Sequence, residues 1–276
     1  MSTTTAGDSR TGTIAISPQR RDWRTIVFRG VALLITFFVL GLSGMATNLL
    51  APWALIGPFP ASDYTPELHR WHSVDIAALF ALLVCGSLLA LLPRPRRAPL
   101  LAQFILLALG IAVAVGVWPF AAEIVIPCVV IAILFIASYP GTRALVTVRG
   151  ADTSSRPLLA LAVLAGLPLL CNAWTDLHLQ HTDLSEHAHN FHWTGGGALA
   201  LTLAVGGFLV ASRRPGWRIL GTILSLTYLY LGGAALTIPS HDGSWGYAGG
   251  ALALVGAVGF CGLTFVEGRH TRAARQ

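Results

Sequence analysis

The chain has 276 residues, of which 54% are hydrophobic and 11% charged, with a formal net charge of +6. A soluble domain of this size carries about a quarter charged residues, so the balance points to a polytopic membrane protein and away from a soluble one. All basic residues are arginine; the absence of lysine excludes a retinal or pyridoxal Schiff base and a P-loop lysine.

Residues 1–26 are polar and rich in Ser and Thr and read as a disordered cytoplasmic tail. Arg20-Arg21 resembles an export signal, but the following apolar run is long enough to span and lacks a small-residue cleavage site, so an uncleaved first helix is expected. Apolar runs then follow at 27–54, 73–92, 99–118, 120–139, 157–176, 193–211, 218–238 and 245–266. Most are about 20 residues, the length that crosses a hydrocarbon core of ~30 Å at 1.5 Å per residue. The expected fold is all-α, with eight transmembrane helices.

The arginines orient these spans. Arg10, Arg20, Arg21, Arg24 and Arg29 precede or open the first. Arg94, Arg96 and Arg97 follow the second. Arg143, Arg149 and Arg156 join the fourth and fifth, and Arg213, Arg214 and Arg218 the sixth and seventh. Arg269, Arg272 and Arg275 follow the eighth, which leaves Arg70 alone on the opposite side. The positive-inside rule then puts both termini in the cytoplasm of a cell whose plasma membrane holds the chain. Topology accounts for the basic residues, and no nucleic-acid partner is implied; the partner is the lipid bilayer. Trp53, Trp71, Trp118, Trp174, Trp193 and Trp245 fall at outer span ends and read as an aromatic belt. Cys85, Cys128, Cys171 and Cys261 lie in apolar runs without a CxxC pair, which speaks against a disulfide framework or a cysteine metal site.

A weak repeat divides the chain. HRWHSVDIAALFALLV at 69–84 and HNFHWTGGGALALTLA at 189–204 both open a span from the outer side with His-x-aromatic-His. Two four-helix halves follow, at 27–140 and 157–266, with a cytoplasmic linker at 141–156 and a cytoplasmic tail at 267–276. An even number of spans per half gives both the same orientation.

Eight of nine histidines fall on the outer side, and only His270 on the inner. His69, His72 and Asp75 are spaced i, i+3, i+6, one stripe of a helix; Glu186, His189 and His192 repeat the spacing. Asp176, His178 and His181 close the fifth span. Neutral imidazole is the commonest metal ligand, and carboxylates ligate or orient the rings. The expected metal ligands are His69, His72, His189 and His192, with His178 and His181 as further candidates. Glu186, Asp75, Asp176 and Glu123 are expected in support. Such a set suits Zn, Cu(II) or non-haem Fe; two histidines on different helices would also hold a haem. His187 is the member of the cluster with the least expected role. The same outer histidines, which titrate near neutral pH, also allow a small-solute or ion transporter, with Glu123, near the outer end of the fourth span, as a candidate on its path.

Eight spans in two halves, with outer histidines opening the second helix of each half, resemble the haem A synthase family. The resemblance implies a haem held in each half between histidines of the second and fourth helices, with a glutamate before the first, a place that Glu186 fits before His189. This sequence departs from that pattern in having no histidine in its fourth or eighth span.

Overall fold

The computed structural model describes residues 22–53, 70–147 and 154–273, with side chains placed as far as 269. His69, most of the expected N-terminal tail and part of the expected linker lie outside the described residues. Everything regular among the described residues is helical. Seven helices are long and apolar enough to cross a membrane: α1 (Trp23–Leu42), α2 (Arg70–Leu91), α3 (Pro99–Val117), α5 (Arg156–Thr182), α6 (His192–Ala211), α7 (Trp217–Thr237) and α8 (Gly246–Ala273). The run expected to form the fourth span makes α4 (Ala122–Ser138), an apolar helix of 17 residues. The first span was expected over 27–54. Its helix instead starts at Trp23 and stops at Leu42; a turn at Ser43-Gly44 and a short helix Met45–Asn48 take the remaining apolar residues.

Local chemistry sets several ends. Ser155 caps α5 by accepting from Leu158 N at 3.1 Å, with Pro157 in the first turn, where its missing N–H has no partner to lose. Pro99 opens α3 in the same way. Inside α2, residues Ala78–Cys85 widen into π-helical turns that begin three residues after Asp75. Such a segment rotates the faces on either side of it and is common beside functional residues.

Helix α6 is the hub. It packs along α5 and also meets α2, α3 and α7; α7 lies along α8, α3 along α4, and α1 against α4 and α2. Its first turns read Thr194, Gly195, Gly196, Gly197 and Ala198, all buried, and small residues of this kind let helices approach closely. By contrast α1 and α5 are mostly exposed, and their exposed side chains are large and apolar: Leu34 63%, Phe37 63%, Leu164 70%. An apolar flank on that scale suits lipid rather than water.

The arginine-bearing ends are tied to backbone. Arg29 donates to Leu92 O and Pro93 O at 2.8 and 3.0 Å. Arg214, buried, donates to Gln103 Oε1 and to Thr147 O, while Gln103 Nε2 donates to Ala144 O at 2.8 Å. Tyr139 donates to Pro95 O at 2.8 Å. At the opposite end, Arg70 is folded inward at 7% exposure, donating to Ala51 O and Pro52 O at 3.0 and 2.8 Å.

Candidate functional site

At the end of the bundle opposite most of the arginines, the start of α2, the end of α5 and the start of α6 converge under the connection between α5 and α6. That connection is pinned by its own side chains. Asp183 accepts from Ser185 N at 2.9 Å, from Ser185 Oγ at 2.5 Å and from Trp193 Nε1 at 2.9 Å. Gln180 donates to Ala188 O at 2.7 Å and accepts from Thr194 N and Thr194 Oγ1 at 3.2 and 3.1 Å. Ser185 caps the short helix Glu186–His189 by accepting from His187 N. Held from both sides, this turn aims His187 into the bundle.

Three imidazoles meet there. His72 and His192 stack with centroids 4.8 Å apart and planes 18° apart; His187 lies 4.9 Å from His72 and 5.9 Å from His192. Trp193 borders two of them, at 5.0 Å from His72 and 5.5 Å from His187. His72 and His187 are buried at 2% and 4% exposure. The cluster is roofed by the turn between α7 and α8. There Gly243 has φ +78°, and a Cβ on it would lie 3.1 Å from Trp71 Cδ1, 3.2 Å from His72 Cε1 and 3.2 Å from Trp193 Cζ3. A side chain at that position is therefore both strained and obstructed.

One turn below His72 lies a second layer. Asp75 on α2 and Asp176 on α5 are buried at 3% and 5% exposure. They face each other across Gly196 of α6: a Cβ there would sit 2.5 Å from Asp176 Oδ2 and 3.2 Å from Asp75 Oδ2. Asn172 donates to Asp176 Oδ2 at 3.0 Å. Asp75 Oδ1 has no hydrogen-bond partner among the described residues. Two carboxyl groups this far inside an apolar bundle are expensive to keep, and such residues ordinarily serve protons, ions or polar ligands.

Outside the span, the hydrogen bonds from Ser185, then that from Trp193, hold the Asp183 carboxyl below its ordinary range, at about 2. A charged acceptor at this corner keeps Trp193 in place beside the imidazoles.

The expected ligands separate into two groups. His72 and His192 come together, while His178, His181 and His189 are exposed, as are Glu186 and Glu123. His181 sets its ring edge-on to Trp118, at 5.7 Å. The stripe expected through Glu186, His189 and His192 does not form. Phe191 takes a left-handed φ of +57° and ends one helix before the next begins at His192, so the i, i+3 register is lost between the last two. His187, given the smallest role from sequence, is in the cluster. Nothing in a helical repeat marks it, because it reaches His192 across a break. Trp71 and Trp193 were read as interfacial anchors; both are inside, at 0% and 7% exposure.

Among the described residues no group of three or more His, Cys, Asp or Glu side chains is arranged to hold a metal ion as the rings stand. Nor does a haem fit between His72 and His192: stacked rings 4.8 Å apart leave no space for a porphyrin, whose iron needs a nitrogen on each face at ~2 Å. Compared with known families, curated proteins and solved structures, the chain matches none.

Proposed function

We propose that the chain is a plasma-membrane protein of eight spans in two four-helix halves, with both termini cytoplasmic, and that it transports protons or another small cation. α4 counts as a span because 17 residues meet the lower limit for crossing. The cation enters from the outer face at His72, His187 and His192, and passes to Asp75 and Asp176. The observation that carries this reading is the carboxyl pair itself, buried across Gly196 one turn beneath three imidazoles. Polar groups descending from the surface into the bundle are what a transport path requires.

The test is uptake by sealed proteoliposomes holding a pH-sensitive dye, driven by an acid outside. Wild-type protein takes up protons, and Asp75→Asn and Asp176→Asn both lose most of that uptake. Flux that is unchanged in both variants, or absent from the wild type under every cation gradient applied, defeats the reading.

The mutual contact of three imidazole rings favours a second reading, a transition metal such as Zn or Cu(II) held by His72, His187 and His192 after rotation of the rings. Copper titration followed by electron paramagnetic resonance separates the two. A nitrogen-coupled signal lost in His187→Ala supports the metal; uncoordinated copper throughout removes it.

A further inference from the structure

The arginines of the two halves are used differently. In the second half most are spent inside the protein: Arg214 is buried against Gln103 Oε1 and Thr147 O, Arg213 lies 3.6 Å from Glu267, and Arg218 donates to Gly268 O. In the first half three segments are stitched into one seam at the same end of the bundle. Arg29 of α1 holds Leu92 O and Pro93 O of the α2–α3 connection, Arg96 of that connection pairs with Asp22 ahead of α1, and Tyr139 after α4 donates to Pro95 O. The rings of Phe28, Phe135 and Tyr139 back the seam. Around it stand Arg24, Arg94, Arg96, Arg97 and Arg143, all exposed, and Asp22 is the one acid in these segments among the described residues. The stitches use other groups than Arg94, Arg97 and Arg143, which make no ion pair or side-chain hydrogen bond among the described residues. Like charges gathered in this way repel one another, so holding the fold together does not account for them.

We propose that this seam binds the phosphate headgroup of an anionic phospholipid in the leaflet at the arginine end. The fork of a guanidinium matches phosphate oxygens two at a time, and an arginine never loses its charge. A zwitterionic headgroup brings its own cation, which this surface repels. A lipid fits better than a free anion because the same segments carry apolar flanks. Ile26 on α1 and Ile136 on α4 are exposed and can lie along acyl chains. Trp23, 65% exposed with the Arg24 guanidinium 5.7 Å from its ring, has the amphipathic character of a headgroup-level anchor. Such binding is independent of the transport reading and of which side of the membrane the seam faces.

The test is native mass spectrometry of the purified full-length protein in a non-ionic detergent, with dioleoylphosphatidylglycerol and dioleoylphosphatidylcholine offered together. The wild type is expected to retain phosphatidylglycerol about tenfold more strongly, and to keep it in millimolar inorganic phosphate. The triple variant Arg94→Gln/Arg97→Gln/Arg143→Gln should bind it about a hundredfold more weakly, since each arginine near an anionic surface is worth about fivefold. Its melting temperature should stay near that of the wild type, because these side chains fasten nothing. Lysine at the same three positions keeps the charge without the fork and should fall between the two. Arg156→Gln/Arg269→Gln, which removes two exposed arginines of the other half, should change binding less than about twofold. Equal retention of the two lipids overturns the proposal. So does displacement by inorganic phosphate, which would make the seam a site for a free anion. A loss in Arg156→Gln/Arg269→Gln as large as in the triple variant overturns it too, because attraction would then follow overall charge and not this seam.

Discussion

The two ends of the bundle handle buried polarity in opposite ways. At the arginine end, Arg214, Gln103 and the backbone from Ala144 to Thr147 interlock, and Ser155 both caps α5 and donates to Glu267. The polar atoms there fasten one connector to another. At the histidine end, three imidazoles lie against one another and two carboxyl groups face across a glycine, with Asp75 Oδ1 left without a hydrogen bond among the described residues. A protein built only for stability would fill that space with apolar side chains, since burying like-charged or unsatisfied groups is unfavourable. The difference is what the proposed function rests on: polar groups that fasten connectors at one end, and buried polar groups that fasten none at the other.

Substitutions at the two ends should therefore behave differently. The largest stability loss is expected at the arginine end: Arg214→Ala leaves Gln103 Oε1 without its donor and Thr147 O with only Gln103 Nε2, and should cost about 3 kcal/mol, read as a lower melting temperature in detergent, with no selective effect on the site. Gly196→Ala comes next, at about 2 kcal/mol, because its Cβ would overlap Asp176 Oδ2. Shortening the opposing side chain in Gly196→Ala/Asp176→Ser should recover most of that loss, and a double mutant no more stable than Gly196→Ala would break the account of the close approach. Asp176→Asn reverses the sign seen at Arg214. Removing one of two facing carboxyl groups should leave stability unchanged or raise it by about 1 kcal/mol, while uptake is lost.

Asp183 gives a pH-dependent comparison. Its carboxyl titrates near 2 in the folded chain, below its unfolded value of about 3.9. The stabilisation it provides is thus complete above the unfolded value and lost as pH falls through the folded one. Asp183→Asn should lower the melting temperature at neutral pH, and the gap from the wild type should close between about pH 4 and 2. A gap that persists at pH 2 would mean that the carboxylate form is not what holds the turn. Least affected is Glu123→Gln, on an exposed first turn of α4, with a stability change expected within about 0.5 kcal/mol and unchanged uptake.

Helix positions were legible from hydropathy because lipid demands long apolar runs, and the seven longest helices fall on seven of the expected spans. The limits were misread where apolar residues continue past a helix end, as after Leu42, since hydropathy registers transfer to lipid and not backbone direction. In the site, the paired HRWH and HNFH motifs pointed to His72 and His192, which do stack, as well as to His69 and His189, while Asp75 and Asp176 were expected only as supports of a histidine site and not as a buried facing pair. His189 and His187 exchanged places because the left-handed Phe191 breaks the helix on which the spacing rule depends. In sequence, Gly196 is one of a run of three glycines at a span start and Gly243 ends a Ser-His-Asp-Gly turn. Their role in admitting two carboxyl groups and closing the imidazole roof depends on contacts between segments far apart in sequence, which no local pattern records.

The inward fold of Arg70 has a further consequence. With its guanidinium held by Ala51 O and Pro52 O, the histidine end exposes, among the described residues, Glu186 and Asp242 and no arginine. In the proposed transport reading, those exposed carboxylates would attract cations toward the mouth of the site. Capture should accordingly quicken as ionic strength falls and the Debye length grows beyond the ~8 Å of physiological salt.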